Sequence, residues 1–207
     1  MSRFNRVPAV RKDGSLPRVR RVFGSRWKLF VLRVALCSLA VVARAQSATE
    51  YQVKAAFLFN FAKFVEWPAD SFLNADSPLE ICVLGPDPFG RDFEQMVGDK
   101  AVNGHRIEVA HPEGVVQARS CQILFIAYSD RQSLKQILEG LKGASVLTVG
   151  DTPGFAQMGG VINFVLDDNR VRFEISMKAA EQAHLKLSAR LLTVAKLVVA
   201  SATGGDK

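Results

Sequence analysis

Histidine, cysteine and tyrosine are scarce in these 207 residues, at three, three and two copies. His105, His111 and His184 form no His-Glu-x-x-His pair, and no Cys-x-x-Cys occurs. No local metal or thiol-redox motif is therefore present. A G-x-S-x-G nucleophile elbow is missing too. "GPDPFG" at 85–90 follows a predicted strand, where a dinucleotide loop would lie. It lacks the G-x-G-x-x-G spacing, and its prolines remove N–H donors that a phosphate needs. The pattern predicts a non-enzyme with no cofactor and no resident metal. Beyond residue 45, no apolar run approaches the roughly 20 residues that span a bilayer.

The formal charge is +7, which by itself suggests nucleic acid or an anionic membrane as partner. Its distribution removes that suggestion. Residues 1–45 carry 11 Lys or Arg and one Asp, a net of +10, while the remainder has 16 against 19 Asp or Glu, a net of −3. The first segment reads as a secretory leader. A basic region from Arg3 to Lys28 precedes the apolar "LFVLRVALCSLAVV" (29–42), and "ARA" at 43–45 offers the small residues of a cleavage site. Cleavage is expected after Ala45, giving a mature single domain over 46–207 located in the periplasm. Two cysteines remain in it, Cys82 and Cys121. In an oxidising compartment an even pair reads as a disulfide, with two buried free thiols as the alternative.

The mature chain alternates strand and helix. Residues 50–67 read as a helix ended by Pro68. Strands are predicted at 79–85, 105–111, 121–128 and 145–151. "CQILFIAY" (121–128) is nearly all apolar, as for a strand buried on both faces. Helices are predicted at 87–97, at 129–143 with Ser129 as cap, at 178–184, and at 188–200 with Ser188 as cap. Within 159–176, two alternating strands flank Asp167, Asp168 and Asn169, a hairpin signal. The fold class is therefore α/β, a mixed and largely parallel sheet flanked by helices, with a late β-hairpin and a C-terminal helix.

The first helix, "EYQVKAAFLFNFAKFVEWP" at 50–68, concentrates six aromatics. At 100° per residue, Val53, Ala56, Phe57, Phe61, Phe64 and Val65 share one broad arc, the expected core face. Lys54 and Asn60 point into that arc, and Phe59 falls on the polar side with Gln52, Lys63 and Glu66. Lys54 can snorkel to water. Phe59 and Asn60 are either ordinary surface residues or a partner-binding pair. A second candidate is an anion site. Arg170 and Arg172 are two apart in a strand and face one side, with His184 and Lys186 soon after. The loop "GDTPGFAQMGG" (150–160) follows a buried strand, where open α/β sheets hold ligands.

Five blocks carry a family likeness: "KAAFLFNFAKFVEWP" (54–68), "ICVLGPDPFG" (81–90), "SCQILFIAYSD" (120–130), "SVLTVGDTPGFAQMGGVINFVLDDNRVRFEIS" (145–176) and "LKLSARLLTVAKLV" (185–198). In this order they resemble the YfiR family of periplasmic proteins. The family is known for a repressor of an inner-membrane diguanylate cyclase, relieved by an outer-membrane lipoprotein. The resemblance implies an α/β fold, a homodimer, and a disulfide between Cys82 and Cys121. Some members carry a second, later disulfide, for which this sequence has no cysteines. Two functions are then expected. One is a non-catalytic regulator that binds and represses a diguanylate cyclase and so modulates cyclic di-GMP. The other is a periplasmic binder or sensor of a small anionic ligand.

Overall fold

The computed structural model describes residues 50–199. The basic leader and the expected cleavage point lie outside the described residues.

In chain order the elements are α1 (residues 50–64), β1 (Val65–Glu66), a 3-10 turn (Ala69–Ser71), β2 (Leu79–Leu84), α2 (Arg91–Val97), β3 (Ala101–Val102), β4 (His105–Ala110) and α3 (Val115–Ala118). There follow β5 (Ile123–Ile126), α4 (Arg131–Gly140), β6 (Leu147–Gly150), β7 (Ile162–Asp167), β8 (Arg170–Ser176), α5 (Met177–Gln182), β9 (Lys186–Leu187), α6 (Ala189–Val194) and β10 (Leu197–Val199).

Eight strands form one sheet in the order β10-β8-β7-β6-β5-β2-β4-β3. The neighbours from β7 through β4 run parallel, and the β7–β8 and β3–β4 pairs are antiparallel hairpins. The fold is the expected mixed α/β one. Alternation along each central strand sends side chains to two separate cores. Ile81, Val83, Ile123, Phe125, Leu147 and Val149 join Leu58, Phe61, Phe93 and Leu191 on one face. Cys82, Leu84, Leu124 and Ile126 join Ala118, Leu134, Ile137 and Phe155 on the other. The chain leaves β2 toward β4 by way of α2, then returns past β2 to β5 by way of α3. That reversal of direction puts α2 and α3 on opposite faces, as right-handed crossovers require.

Several local expectations are corrected. α1 stops at residue 64, short of Trp67, because Pro68 disfavours helix before it and Val65–Glu66 pair with Leu187 and Lys186 instead. α2 begins at Arg91 with Gly90 as its N-cap residue, so Pro88 precedes the helix. Asp130, not Ser129, caps α4, its carboxylate accepting from Ser133 N at 2.8 Å. Ser188 does cap α6, but that helix ends at Val194, and Leu197–Val199 form a strand parallel to β8. "LVV", with its two β-branched valines, completes the sheet edge, and Lys196 N donates to Phe173 O at 2.8 Å. The late hairpin turns on two residues, Asp168 and Asn169, at φ 48° and 58°, the left-handed pair of a type I′ turn.

The buried face of α1 is rotated from the predicted arc. Lys54, Ala55, Leu58, Phe61, Ala62 and Val65 are buried, and Val53 is 40 % exposed. The small Ala55 and Ala62 let the helix approach the sheet closely. Phe57 lies at the margin, its ring centroid 5.5 Å from that of Phe173 and 6.0 Å from that of Phe61.

Candidate functional site

Asp151 is the first residue beyond β6, at the end of the parallel strands. The loop after it is pinned by Phe155, which is fully buried. Gly150 and Gly160 make room for that ring; a Cβ on Gly150 would stand 2.8 Å from Phe155 Cδ2. Anchored in this way, the loop presents Asp151 to α1. Lys54 Nζ donates to Asp151 Oδ2 at 2.7 Å and lies 2.6 Å from Glu50 Oε1, one turn back. Tyr51 Oη donates to the same Asp151 oxygen at 3.0 Å, and the ammonium stands 4.3 Å from the Tyr51 ring centroid.

Burial opposes the Lys54 charge, but the bonds to Asp151 and Glu50 outweigh it and hold the ammonium above its ordinary pKa. Burial, followed by the Asp151 charge, pushes the Tyr51 phenol up. The ammonium is thus permanently charged near neutral pH and shared between two carboxylates. Such a group locks and orients. It does not act as a nucleophile or base.

Beside this cluster opens a cavity of about 1200 Å³ at the ends of β5 and β6. Lys54, Arg131, Lys135, Asp151, Asn163 and Glu174 are among its walls. Residues 151–154, 157 and 158 of the 150–160 loop line it. Arg170 and Arg172 do not. They share a sheet face with Glu174 but sit farther out on the hairpin, exposed, opposite Asp167 and Val165. The hydrogen bond from Lys196 holds the Asp167 carboxyl below its usual range against the opposing effect of desolvation, with the Lys196 and Arg172 charges adding to the lowering. His184 follows the α5 C-cap residue at φ 56°, and Lys186 lies in β9. No cavity, hydrogen bond or ion pair among the described residues joins these two to the arginines.

Phe59, placed by the helical wheel on the polar side of α1, is half-buried against the core. Its ring lies under two ammonium groups, Lys63 Nζ at 4.1 Å and Lys100 Nζ at 5.3 Å from the centroid. Asn60 Oδ1 accepts from Lys63 Nζ at 3.3 Å.

Sequence reasoning missed the role of Lys54. A lysine inside an apolar arc calls for a buried carboxylate, and Asp151, just past a buried strand, was the signal for it.

Cys82 in β2 and Cys121 just before β5 form the implied disulfide, with Cα atoms 6.0 Å apart. The two strands are parallel neighbours, which brings the cysteines together. Glu80 lies near both sulfurs, making the one His, Cys and acidic cluster among the described residues. With both sulfurs bonded to each other, it has no thiolate to offer a metal.

A family model described as YfiR/HmsC-like matches residues 51–196. The chain belongs to the YfiR/HmsC-like family. Membership is consistent with a periplasmic, non-catalytic regulatory protein. Among solved structures, the chain is similar to a conserved domain protein from Vibrio cholerae O1 biovar eltor, at 12% identity and TM-score 0.41. It is similar also to an ABC domain in complex with L-Trp from Streptococcus pneumonia, at 10% identity and TM-score 0.41. Each alignment covers 58% of this chain and 55% of the other, so this YfiR/HmsC-like chain spans little more than half the length of those it matches.

Proposed function

We infer that this YfiR/HmsC-like chain is an exported, non-catalytic regulator. It binds the periplasmic domain of an inner-membrane diguanylate cyclase and holds its cyclic di-GMP output down. An outer-membrane lipoprotein and a second copy of the chain are its further partners. The observation that carries this reading is the family match across 51–196, nearly all of the described residues. The basic leader supports export, with the mature chain beginning at Gln46. On α1, Phe59 and Asn60 are the candidate contact residues, half-buried and bordered by the exposed Lys63.

The test is a deletion strain assayed for cyclic di-GMP. Loss of the gene should raise the nucleotide, and restoring the exported protein should lower it again. An unchanged level, with the protein verified as exported in the parent, overturns the reading. N-terminal sequencing of the periplasmic protein checks the leader.

A second reading is a sensor whose ligand biases partner binding. The cavity beside Lys54 and Asp151 favours it, in place of the Arg170, Arg172 and His184 grouping.

A further inference from the structure

We propose that the groove between α1 and α2 is the docking surface for an acidic amphipathic helix of a protein partner. This rests on the reading of Phe59 and Asn60 as partner contacts and names the chemistry that they meet.

The two helices run side by side in the same direction. Near the start of α1 the Tyr51 ring meets that of Phe89, which precedes α2, at 5.6 Å between centroids. Farther along α1, Phe59 lies against Lys100, which follows α2. Gln52, Ala55, Phe59 and Lys63 share one stripe of α1 at helical spacing. Asp92 and Met96 stand one turn apart on α2. Between the helices lies a notch of about 140 Å³, walled by Ala55, Phe89, Phe93 and Met96. A cavity of about 150 Å³ holds a benzene ring, so one apolar side chain suits this notch. The small Ala55 opens it, and Gln52 and Asp92 border it.

Charge changes sign along the groove. Asp92 marks one end, and Lys63 and Lys100 meet at the Phe59 ring at the other. Neither lysine pairs with a carboxylate among the described residues, although Glu66 and Asp99 are close in the chain. Their side-chain bonds go to Asn60 Oδ1 and Met96 O. Two ammonium groups held against one half-buried ring are the complement of carboxylates. An anionic membrane fits less well, because a flat surface would leave the notch empty and would repel Asp92. From Ala55 to Lys63 the helix rises about 12 Å, at about 1.5 Å per residue. A partner helix laid along this line seats one apolar side chain in the notch and a second on Phe59, one turn later. Asp or Glu then meets the lysines after a further turn, the spacing of helix-in-groove recognition.

Fluorescence anisotropy of three labelled peptides, each held helical by a lactam bridge, tests this. All carry Leu at i and i+4, and they differ only at i+7 and i+8, as Glu, Gln or Lys. The Glu helix should bind the exported protein about tenfold more tightly than the Gln helix, and the Lys helix least. In K63E/K100E the order should reverse, with an unchanged unfolding curve, since both lysines are exposed. Should that variant misfold, K63Q/K100Q should erase the preference instead. No binding of the Glu helix at millimolar concentration overturns the proposal. So does the native order in K63E/K100E, or sedimentation with phosphatidylglycerol vesicles and no preference among the helices. The strain assay separates this surface from the regulatory reading. A deletion that leaves cyclic di-GMP unchanged removes the cyclase as partner and leaves the groove standing. Failure of the peptide series beside a responsive deletion removes the groove alone.

Discussion

Lys54 Nζ stands 2.7 Å from Asp151 Oδ2, joining the first helix to the end of a central strand across 97 residues of sequence. The lysine side chain is 5% exposed and the aspartate 22%. Removing one member of such a pair is costly, because the other is left without its charge partner. Asp151→Ala should therefore cost about 1.5–3 kcal/mol in urea unfolding, the range for a hydrogen bond to a charged group. Lys54→Met should cost less, since Asp151 keeps the Tyr51 hydroxyl and access to water. A larger loss in Lys54→Met than in Asp151→Ala would contradict the arrangement.

The same pair has a pH signature. The folded state holds the Lys54 ammonium above its ordinary pKa of 10.5. Its stabilisation is fully present below that value and is lost as pH rises through the higher folded value. Native protein should lose stability relative to Lys54→Met only on the alkaline side, above about pH 10.5. A difference that instead vanished between pH 5 and 8 would assign the effect to another group.

Cys82 and Cys121 close a loop with a sequence separation of 39. The chain-entropy model gives about 4 kcal/mol for a loop of this size, as an upper figure. Cys82→Ala should lower stability toward that extent and reduce periplasmic abundance. Thiol labelling of unfolded, unreduced protein should find neither cysteine free.

Phe59 and Phe61 should separate sharply. Phe61 is 1% exposed and packs on Phe57, Phe164 and Phe173. Phe61→Ser leaves a void and a buried hydroxyl, at about 3 kcal/mol or more. Phe59→Ser gives up half-buried area and contact with two lysines, at about 1 kcal/mol. Equal shifts in melting temperature would make Phe59 a core residue and remove it from any partner surface.

Glu80 and Glu108 face each other on neighbouring strands. Burial, and then the Glu108 charge, push the Glu80 carboxyl up. Its raised value means that stability is lost as pH rises from the ordinary 4.5 through the folded pKa. Glu108→Lys replaces a like pair with an opposite one and should stabilise the neutral-pH protein by about 0.5 kcal/mol. Thermal melts at pH 4 and pH 7 check the sign, since the gain should be larger at pH 7.

Wherever a local period or turn decided the structure, the sequence was legible. "CQILFIAY" is a buried strand because its apolar side chains enter both cores. The stripe of Leu134 and Ile137 makes α4, and Asp168-Asn169 make the hairpin. The Asn103-Gly104 turn between β3 and β4, at φ 53° and 90°, was present in the letters and went unread. The YfiR/HmsC-like family was legible as well, since ordered motifs survive without any knowledge of contacts. Tertiary structure decided the rest. The aromatics of α1 pulled the predicted arc toward Phe57 and Phe64, whereas close approach to the sheet selected the Ala55, Leu58 and Ala62 side. The end of "LLTVAKLVVA" became a strand only because β8 offered it an open edge. The meeting of Lys54 with Asp151, and of Asn163 with Glu174, depends on strand order and register. Side-chain periodicity records which face a residue takes, while chain crossovers set its neighbours, so a local pattern shows that Lys54 needs a carboxylate but leaves the choice among carboxylates to the tertiary structure.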